Sequence, residues 1–242
     1  MKVVTVSNKV PTAPYYCWEA FHESLRRFGF NPIVLGMGEH YGGLMTRPRK
    51  AREWLRANLS DEIVIICDSW DIVFARDPRQ IENEFLNIRY RHSKENPIKL
   101  VWNAEKTFFP EDHTLDFPEC GTPYRYLNSG FAVGPANAHL ELLEALNLDS
   151  IPDDHINEKG EQINPFEQPL VQAAFCKQVI PMLLDTDVRI CQCLHAVTPE
   201  ELDFTGERIQ NTITKSFPMV FHMNGQKETW RDKILTKLNL PK

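Results

Sequence analysis

The chain has 242 residues, 42% hydrophobic and 25% charged, with a formal net charge of −6. That is enough for one large domain or two fused halves around a sizeable core, and the acidic balance argues against a global basic field for nucleic acid. No apolar stretch reaches the roughly 18 residues of a membrane span and no signal-peptide layout is visible, so no membrane partner is expected. Six cysteines are scattered, with Cys67 and Cys176 inside apolar segments. This fits reduced, buried thiols in a cytoplasmic protein rather than a disulfide framework. Cys191 and Cys193 lack a second ligand pair at zinc spacing and read as structural.

In chain order, Val3–Val6 reads as a short strand ending in Ser7-Asn8. Tyr15–Phe30 follows as a helix with Trp18, Phe21, Leu25 and Phe28 on one face, and Ile33–Leu35 as a second strand. This β-α-β opening predicts a parallel sheet with a right-handed crossover. The loop Gly36–Pro48 holds four of the eleven glycines and can approach a ligand closely, or simply connect. Pro48–Asn58 reads as a helix whose start gathers Arg47, Arg49, Lys50 and Arg52. Cations there oppose the helix dipole, so the cluster suits either an anion such as a diphosphate, with Lys50 as a candidate contact, or a solvated basic face.

Glu62–Phe74 is the organising stretch. Its β-branched run Ile63–Cys67 predicts a strand buried on both faces. It stops at Asp68, and Asp71 follows three residues on. Ligands in open α/β sheets sit at the carboxyl ends of the strands, and two carboxylates there fit a divalent Mn²⁺ or Mg²⁺ as well as they fit caps of the next turn.

A helix is expected from Asp77-Pro78 to about Tyr90 and a strand over Ile98–Trp102, running out into Asn103-Ala104-Glu105. Lys106–Gly121 is irregular, as segments of a binding site often are. Tyr124–Gly134 reads as a turn or bulge entering a strand, Pro135–Leu148 as a helix, and Ile151–Asn164 as a polar, mobile segment. Phe166–Gln178 reads as a helix, Val179–Leu184, Val188–Gln192 and Pro218–Phe221 as strands, and a last helix starts near Thr229. His222, at a strand end like Asp68, completes a possible two-carboxylate, one-imidazole metal site, against the plainer reading of a hydrogen-bonded structural histidine. Lys227, just past the Asn224-Gly225 turn, can hold a phosphate as a point charge.

These stretches resemble the glycosyltransferase domain of the procollagen lysyl hydroxylases along most of the chain. The likeness rests on Leu-Gly-Met-Gly-Glu at 35–39, Gly42-Gly43, Asp68-Ser-Trp-Asp71, Ala104-Glu105 followed by Phe109-Pro110, Leu127-Asn-Ser-Gly130 and His222-Met-Asn-Gly225. The resemblance implies a GT-A fold, an α/β domain with a mixed, mostly parallel sheet flanked by helices. It implies a single domain over 1–242, with 1–76 as the nucleotide-binding half and 77–242 as the acceptor-binding half. It implies a UDP-sugar donor, UDP-glucose or UDP-galactose, with Mn²⁺ or Mg²⁺. Asp68, Asp71 and His222 would hold the metal, Asp68, Asn224, Gly225 and Lys227 the diphosphate or ribose, and Val6 and Ser7 the uridine. Two positions depart from the family: its acidic run before the helix glutamine is Asn164-Pro165-Phe166-Glu167-Gln168 here, and its tryptophan is Phe109.

The expected activity is hexose transfer to an acceptor hydroxyl by a stand-alone transferase. The acceptor is first a hydroxylysine in a collagen-like protein, then a glycan, then a modified nucleobase. Glu105, Glu167 and Asn128 are the candidate catalytic residues, and the thinned acidic run favours a retaining route over an inverting one. The rival readings are a non-catalytic nucleotide-sugar-binding module and a metal-dependent phosphatase. Phosphatases of the haloacid-dehalogenase type place aspartates after a buried strand at Asp-x-Asp spacing, whereas the spacing here is Asp-x-x-Asp.

Overall fold

The structure, a computed structural model, describes residues 1–12, 16–92, 97–157, 159–225 and 227–242, without the side chains of His92, Lys227 and Glu228. The first half runs β1 (Lys2–Val6), α1 (Trp18–Arg26), β2 (Ile33–Leu35), α2 (Thr46–Ala57), β3 (Ile63–Cys67), β4 (Ile72–Phe74), α3 (Pro78–His92) and β5 (Leu100–Glu105). The second runs β6 (Tyr126–Pro135), α4 (Ala136–Ala145), β7 (His155–Ile156), β8 (Gln162–Ile163), α5 (Gln168–Cys176), β9 (Met182–Asp185), β10 (Cys191–Cys193), β11 (Leu202–Asp203), β12 (Gln210–Asn211), β13 (Val220–His222) and α6 (Lys227–Lys237).

Among the described residues nine strands make one sheet, in the order β2-β1-β3-β6-β5-β10-β13-β4 with β9 beside β5. The β1–β2, β1–β3, β5–β9, β5–β10 and β10–β13 pairs are parallel, while β6 and β4 run antiparallel to their neighbours. This is the mixed, mostly parallel α/β sheet expected from the sequence. Alternation along β3 explains its apolar run. Ile63, Ile65 and Cys67 pack with Phe21 and Leu25 of α1 and Ile81 and Phe85 of α3. Val64 turns to the other face, with Ala51 and Leu55 of α2 and Leu143 of α4. The strand is therefore buried on both faces, as its composition requires. Trp230, Ile234 and Leu235 of α6 pack against Val73 of β4 and Phe221 of β13 at the far end.

Several elements differ from the expected ones: the strands expected over Val179–Leu184 and Pro218–Phe221, for example, form at Met182–Asp185 and Val220–His222. The strand expected over Val188–Gln192 forms later, at Cys191–Cys193. The Asp185 carboxylate accepts the N–H groups of Arg189, Ile190 and Cys191 at 2.9, 2.7 and 3.0 Å, holding that turn outside the ladder. The strand expected over Ile98–Trp102 continues to Glu105, past a register shift between Trp102 and Ala104. The segment Ile151–Asn164 contains the β7–β8 hairpin. The expected helix start at Tyr15 lies outside the described residues. No helix among the described residues is long and apolar enough to cross a membrane, and all six cysteines are free.

Candidate active site

The carboxyl ends of β3 and β13 meet at one point. The Asp68 N–H donates to the Gly130 carbonyl at 2.9 Å, so the first carboxylate is held against β6 where β3 stops. Antiparallel pairing of β4 with β13 sets Ile72 opposite His222, and the Met223 N–H donates to the Asp71 carbonyl at 2.8 Å. Strand register, rather than a loop, thus carries the distant histidine to the two aspartates. His222 Nε2 lies 3.6 Å from Asp68 Oδ2 and 3.5 Å from Asp71 Oδ1. One ligand atom from each of the three residues falls within 4.8 Å of the others. Gly130 makes this approach possible, because a Cβ there would strike His222 Cε1 and lie 2.8 Å from Asp68 Oδ2.

The chemistry of this group fits a hard divalent cation: two carboxylates and one imidazole. The far side of the imidazole supports the same assignment. The Asn103 amide is satisfied when its NH₂ donates to the carbonyls of Asn128 at 2.5 Å and Phe131 at 3.0 Å. Its oxygen then occupies the position 3.3 Å from His222 Nδ1. An Nδ1–H bonded there leaves the Nε2 lone pair toward the aspartates, as metal ligation needs. Burial disfavours an imidazolium at His222, but Asp71 and Asp68 outweigh it and raise its pKa.

A cleft of about 680 Å³ opens over this group. One wall carries Val6, Ser7 and Trp70. Trp70 Nε1 donates to Ser7 Oγ at 2.9 Å, Ser7 Oγ donates to the Lys9 carbonyl at 2.6 Å, and Tyr16 meets the Trp70 ring edge-on at 4.9 Å. Tyr41 and Leu44 of the glycine loop and Phe166 and Glu167 line it as well. Glu167 stands at the N-terminus of α5, bound to Arg47 at 2.9 Å. Its burial raises its pKa against the nearby Arg47 charge.

Glu105 and Asn128 lie deeper. Glu105 is 2% exposed and accepts from Asn128 Nδ2 at 3.2 Å and Asn224 Nδ2 at 2.8 Å. Burial pushes its pKa up to about 7, despite the donors around it. Asn128 Oδ1 accepts the Gly130 N–H at 2.8 Å, and Asn224 Oδ1 accepts the Leu194 and His195 N–H groups at 3.0 and 3.3 Å. Glu105 therefore ties the Leu-Asn-Ser-Gly segment, which lies within β6 rather than in the turn expected from the sequence, to the His-x-Asn-Gly turn. Gly225 has φ +70°, and a Cβ there would lie 2.7 Å from His195 Cδ2.

The structure thus brings Val6, Ser7, Asp68, Asp71, His222, Glu167, Glu105, Asn128 and Asn224 into one region. It does not bring Lys50 there. The Lys50 ammonium pairs with Glu39 at 2.6 Å and Glu53 at 3.5 Å, outside the residues that line the cleft. Arg47, from the same basic cluster, faces the cleft instead. The Lys227 side chain lies outside the described residues. Arg47, Gly130, Trp70 and Asn103 are site residues that the sequence reading did not single out. Gly130 and Trp70 lay inside motifs already noted, whereas Asn103 carried no signal beyond its place at a strand end.

The family model for the PLOD GT domain matches residues 1–235. Human multifunctional procollagen lysine hydroxylase and glycosyltransferase LH3 is 27% identical over 231 residues, covering 89% of this chain and 29% of that protein. Mouse procollagen-lysine,2-oxoglutarate 5-dioxygenase 2 is 24% identical over 237 residues, covering 92% of this chain and 29% of that protein. The chain therefore spans less than a third of the length of these relatives. Among solved structures, a glycosyltransferase involved in glycosylation of the major capsid of PBCV-1 superimposes with a TM-score of 0.52 at 15% identity. That superposition covers 98% of this chain and 99% of the other. At that identity the likeness speaks for the fold alone.

Proposed function

Because the chain belongs to the PLOD glycosyltransferase-domain family, we propose that it moves a hexose, glucose or galactose, from a UDP-sugar to an acceptor hydroxyl in a metal-dependent reaction. The observation that carries this reading is the Asp68–Asp71–His222 group on the floor of a cleft large enough for a nucleotide. Charge supports the metal requirement. Among the described residues lining the cleft, Lys9 and Arg47 face the carboxylates of Asp68, Asp71 and Glu167. A doubly negative diphosphate would enter a site that is already net negative, unless a divalent cation sits on the aspartates. When bound, that cation offsets the diphosphate charge and stabilises it as a leaving group.

The chain's own residues divide the remaining work. Trp70 offers a ring face to a base, with its indole N–H fixed by Ser7. Val6 and Ser7, at the end of β1, stand where the ribose would lie. Asn224 and Gly225 provide a turn with positive φ that can bring backbone close to a phosphate. On the acceptor side Phe166 and Phe109 stack at 6.1 Å with their planes 24° apart, beside Glu167. Phe109 is 58% exposed, and its carbonyl is held by Gln168 Nε2 and, at 3.0 Å, by Gln172 Nε2. An exposed aromatic fixed this firmly suits an acceptor rim. A hydroxylysine-bearing peptide is the first acceptor to try and a glycan the second.

Thermal melting with UDP, GDP and CDP, each with Mn²⁺, tests the donor. A ligand that binds only the folded state raises the Tm. UDP with Mn²⁺ is expected to raise it and neither alone to match the pair. A shift with GDP or CDP but none with UDP overturns the choice.

A further inference from the structure

The basic cluster at the start of α2 divides in two. Arg49 bonds the carbonyls of Leu148 and Ile151 and pairs with Asp153. Arg52 pairs with Asp149 and Lys50 with Glu39, and Arg56, in the last turn of the helix, pairs with Glu144. These contacts tie α2 to neighbouring surface segments. Arg47 turns the other way, into the cleft, with its side chain 16% exposed. Nη1 lies 2.9 Å from Asp68 Oδ1 and 2.9 Å from Glu167 Oε1, and Nη2 donates to the Ser129 carbonyl at 2.8 Å. The two oxygens of Asp68 are thereby assigned different tasks. Oδ1 is on the guanidinium, and Oδ2 is the oxygen that faces His222.

A cation in the first turn opposes the helix dipole, so helix stability does not account for Arg47. Charge balance alone does not account for it either. Three acceptors on three elements, the end of β3, β6 and the start of α5, are engaged by one planar group. A lysine ammonium is a point charge on a flexible stem and cannot reproduce that fork. Glu167 and Asp68 both line the cleft, and only Asp68 belongs to the metal-ligand group, so the one guanidinium joins a ligand to a wall residue that is not one.

We propose that Arg47 is a positioning residue that couples the two halves of the site. It presents Asp68 to the cation through Oδ2 and holds Glu167 at a fixed place on the acceptor wall. This rests on the metal-dependent reading above. It adds that the metal site is completed from outside its three ligands and that the acceptor wall is set by the same side chain. Residues that orient metal ligands change metal affinity by about 10–100-fold when replaced. Arg47→Lys is therefore expected to weaken Mn²⁺ binding by at least ~10-fold and to lower kcat more than it raises the KM for the donor.

The test is Mn²⁺ binding to the full chain, followed by the electron paramagnetic resonance of free Mn²⁺ in the presence of UDP. Wild type, Arg47→Lys and Glu167→Gln are compared, with melting of each metal-free protein alongside. Weaker binding by Arg47→Lys at an unchanged Tm, with Glu167→Gln within about twofold of wild type, supports the positioning role; that twofold margin is small beside the loss expected when a residue that orients a metal ligand is replaced. Equal Mn²⁺ affinity in wild type and Arg47→Lys overturns it. Absence of Mn²⁺ binding by wild type is a different result, which removes the metal-dependent reading itself. Should Arg47→Lys fail to fold, Arg47→Gln in the Glu167→Gln background leaves no unpaired Glu167 carboxylate. Its comparison with Glu167→Gln alone asks the same question. A kinetic cycle over Arg47→Lys and Glu167→Gln adds a second readout, since residues acting through one another give non-additive losses. Strict additivity argues against the coupling.

Discussion

Asp71 and His222 face each other across paired strands, Oδ1 to Nε2 at 3.5 Å, because Ile72 and His222 are register partners in β4 and β13. The imidazole thus stands on the ladder itself, and the two carboxylates stand on the short connection between β3 and β4 that the ladder anchors at both ends. Without a cation, Asp68 and Asp71 repel each other across a partly buried gap. Asp71→Asn is therefore expected to leave the metal-free protein as stable as wild type or slightly more so, and to abolish the Mn²⁺-dependent rise in Tm. Activity should fall at least ~100-fold, since charge stabilisation by a metal amounts to several kcal/mol. Melting with and without Mn²⁺, beside a transfer assay in excess EDTA, checks this. Full activity in EDTA defeats the metal assignment.

The glycine loop offers a second prediction. The Asp154 N–H donates to the Gly42 carbonyl at 2.9 Å, and a Cβ at Gly42 or Gly43 would run into the Asp153 or Asp154 carboxylate. Gly43 also has φ +113°, which strains any other residue. Tyr41 and Leu44 of this loop line the cleft. We therefore propose that the loop closes over the donor together with the 151–154 segment, as one body. Hydrogen exchange should show both segments gaining protection on addition of UDP and Mn²⁺. Gly43→Ala should loosen both in the free protein. Protection gained by the loop alone would separate the two segments.

Much of this site was legible in the sequence, for physical reasons that particular residues illustrate. Asp68 and His222 both terminate apolar strands, and a charged or polar group at a buried strand end needs a partner. The Leu-Asn-Ser-Gly and His-x-Asn-Gly stretches were visible as motifs, and Glu105 holds the one, a strand segment of β6, to the other, a turn. What was not legible depends on distance in space. Ile72–Phe74 is too short for its period to identify a strand, so the pairing that delivers His222 to Asp71 was hidden. The basic cluster was visible as a cluster. Which of its members turns inward depends on Asp68 and Glu167 lying on elements far apart in sequence, so Lys50 was a natural choice and Arg47 the one that reaches the cleft.

His139 gives a stability prediction independent of the site. It is 2% exposed on α4, with Nε2 3.1 Å from the Val64 carbonyl of β3, and burial pushes its pKa down to about 4. An unfolded histidine titrates near 6.5. Between those values the unfolded chain binds a proton that the folded chain does not, so this contribution is complete above about pH 6.5 and is lost as pH falls toward 4, by at most ~3 kcal/mol. Glu105, raised to about 7, acts in the opposite sense and favours folding at lower pH. The wild-type slope is therefore a partial cancellation. His139→Gln retains a donor for Val64 and should be less sensitive than wild type to acidification from about pH 7 to 4.5. Equal loss of Tm in both proteins would show that His139 does not titrate differently on folding.

The stereochemical course separates the two carboxylates named from sequence. A base that takes a proton from an acceptor must lie within hydrogen-bond reach of it. Glu105 is buried, and both its oxygens are engaged by Asn128 and Asn224. Its replacement by Gln would set an amide NH₂ against an asparagine NH₂ and disturb both stretches, so Glu105→Gln is expected to lose donor binding as well as rate. Glu167 lines the cleft beside Phe166, yet one of its oxygens is bound by Arg47 at 2.9 Å, so that oxygen is not open to an acceptor hydroxyl. We therefore favour a retaining transfer, in which the leaving diphosphate accepts the acceptor proton and Glu167 shapes the acceptor wall. Glu167→Gln should then keep donor affinity and measurable transfer, with a raised KM for the acceptor, and the product's anomeric configuration, read by NMR, should match the donor's. An inverted product together with an inactive Glu167→Gln enzyme would make Glu167 the base and the transfer a single displacement.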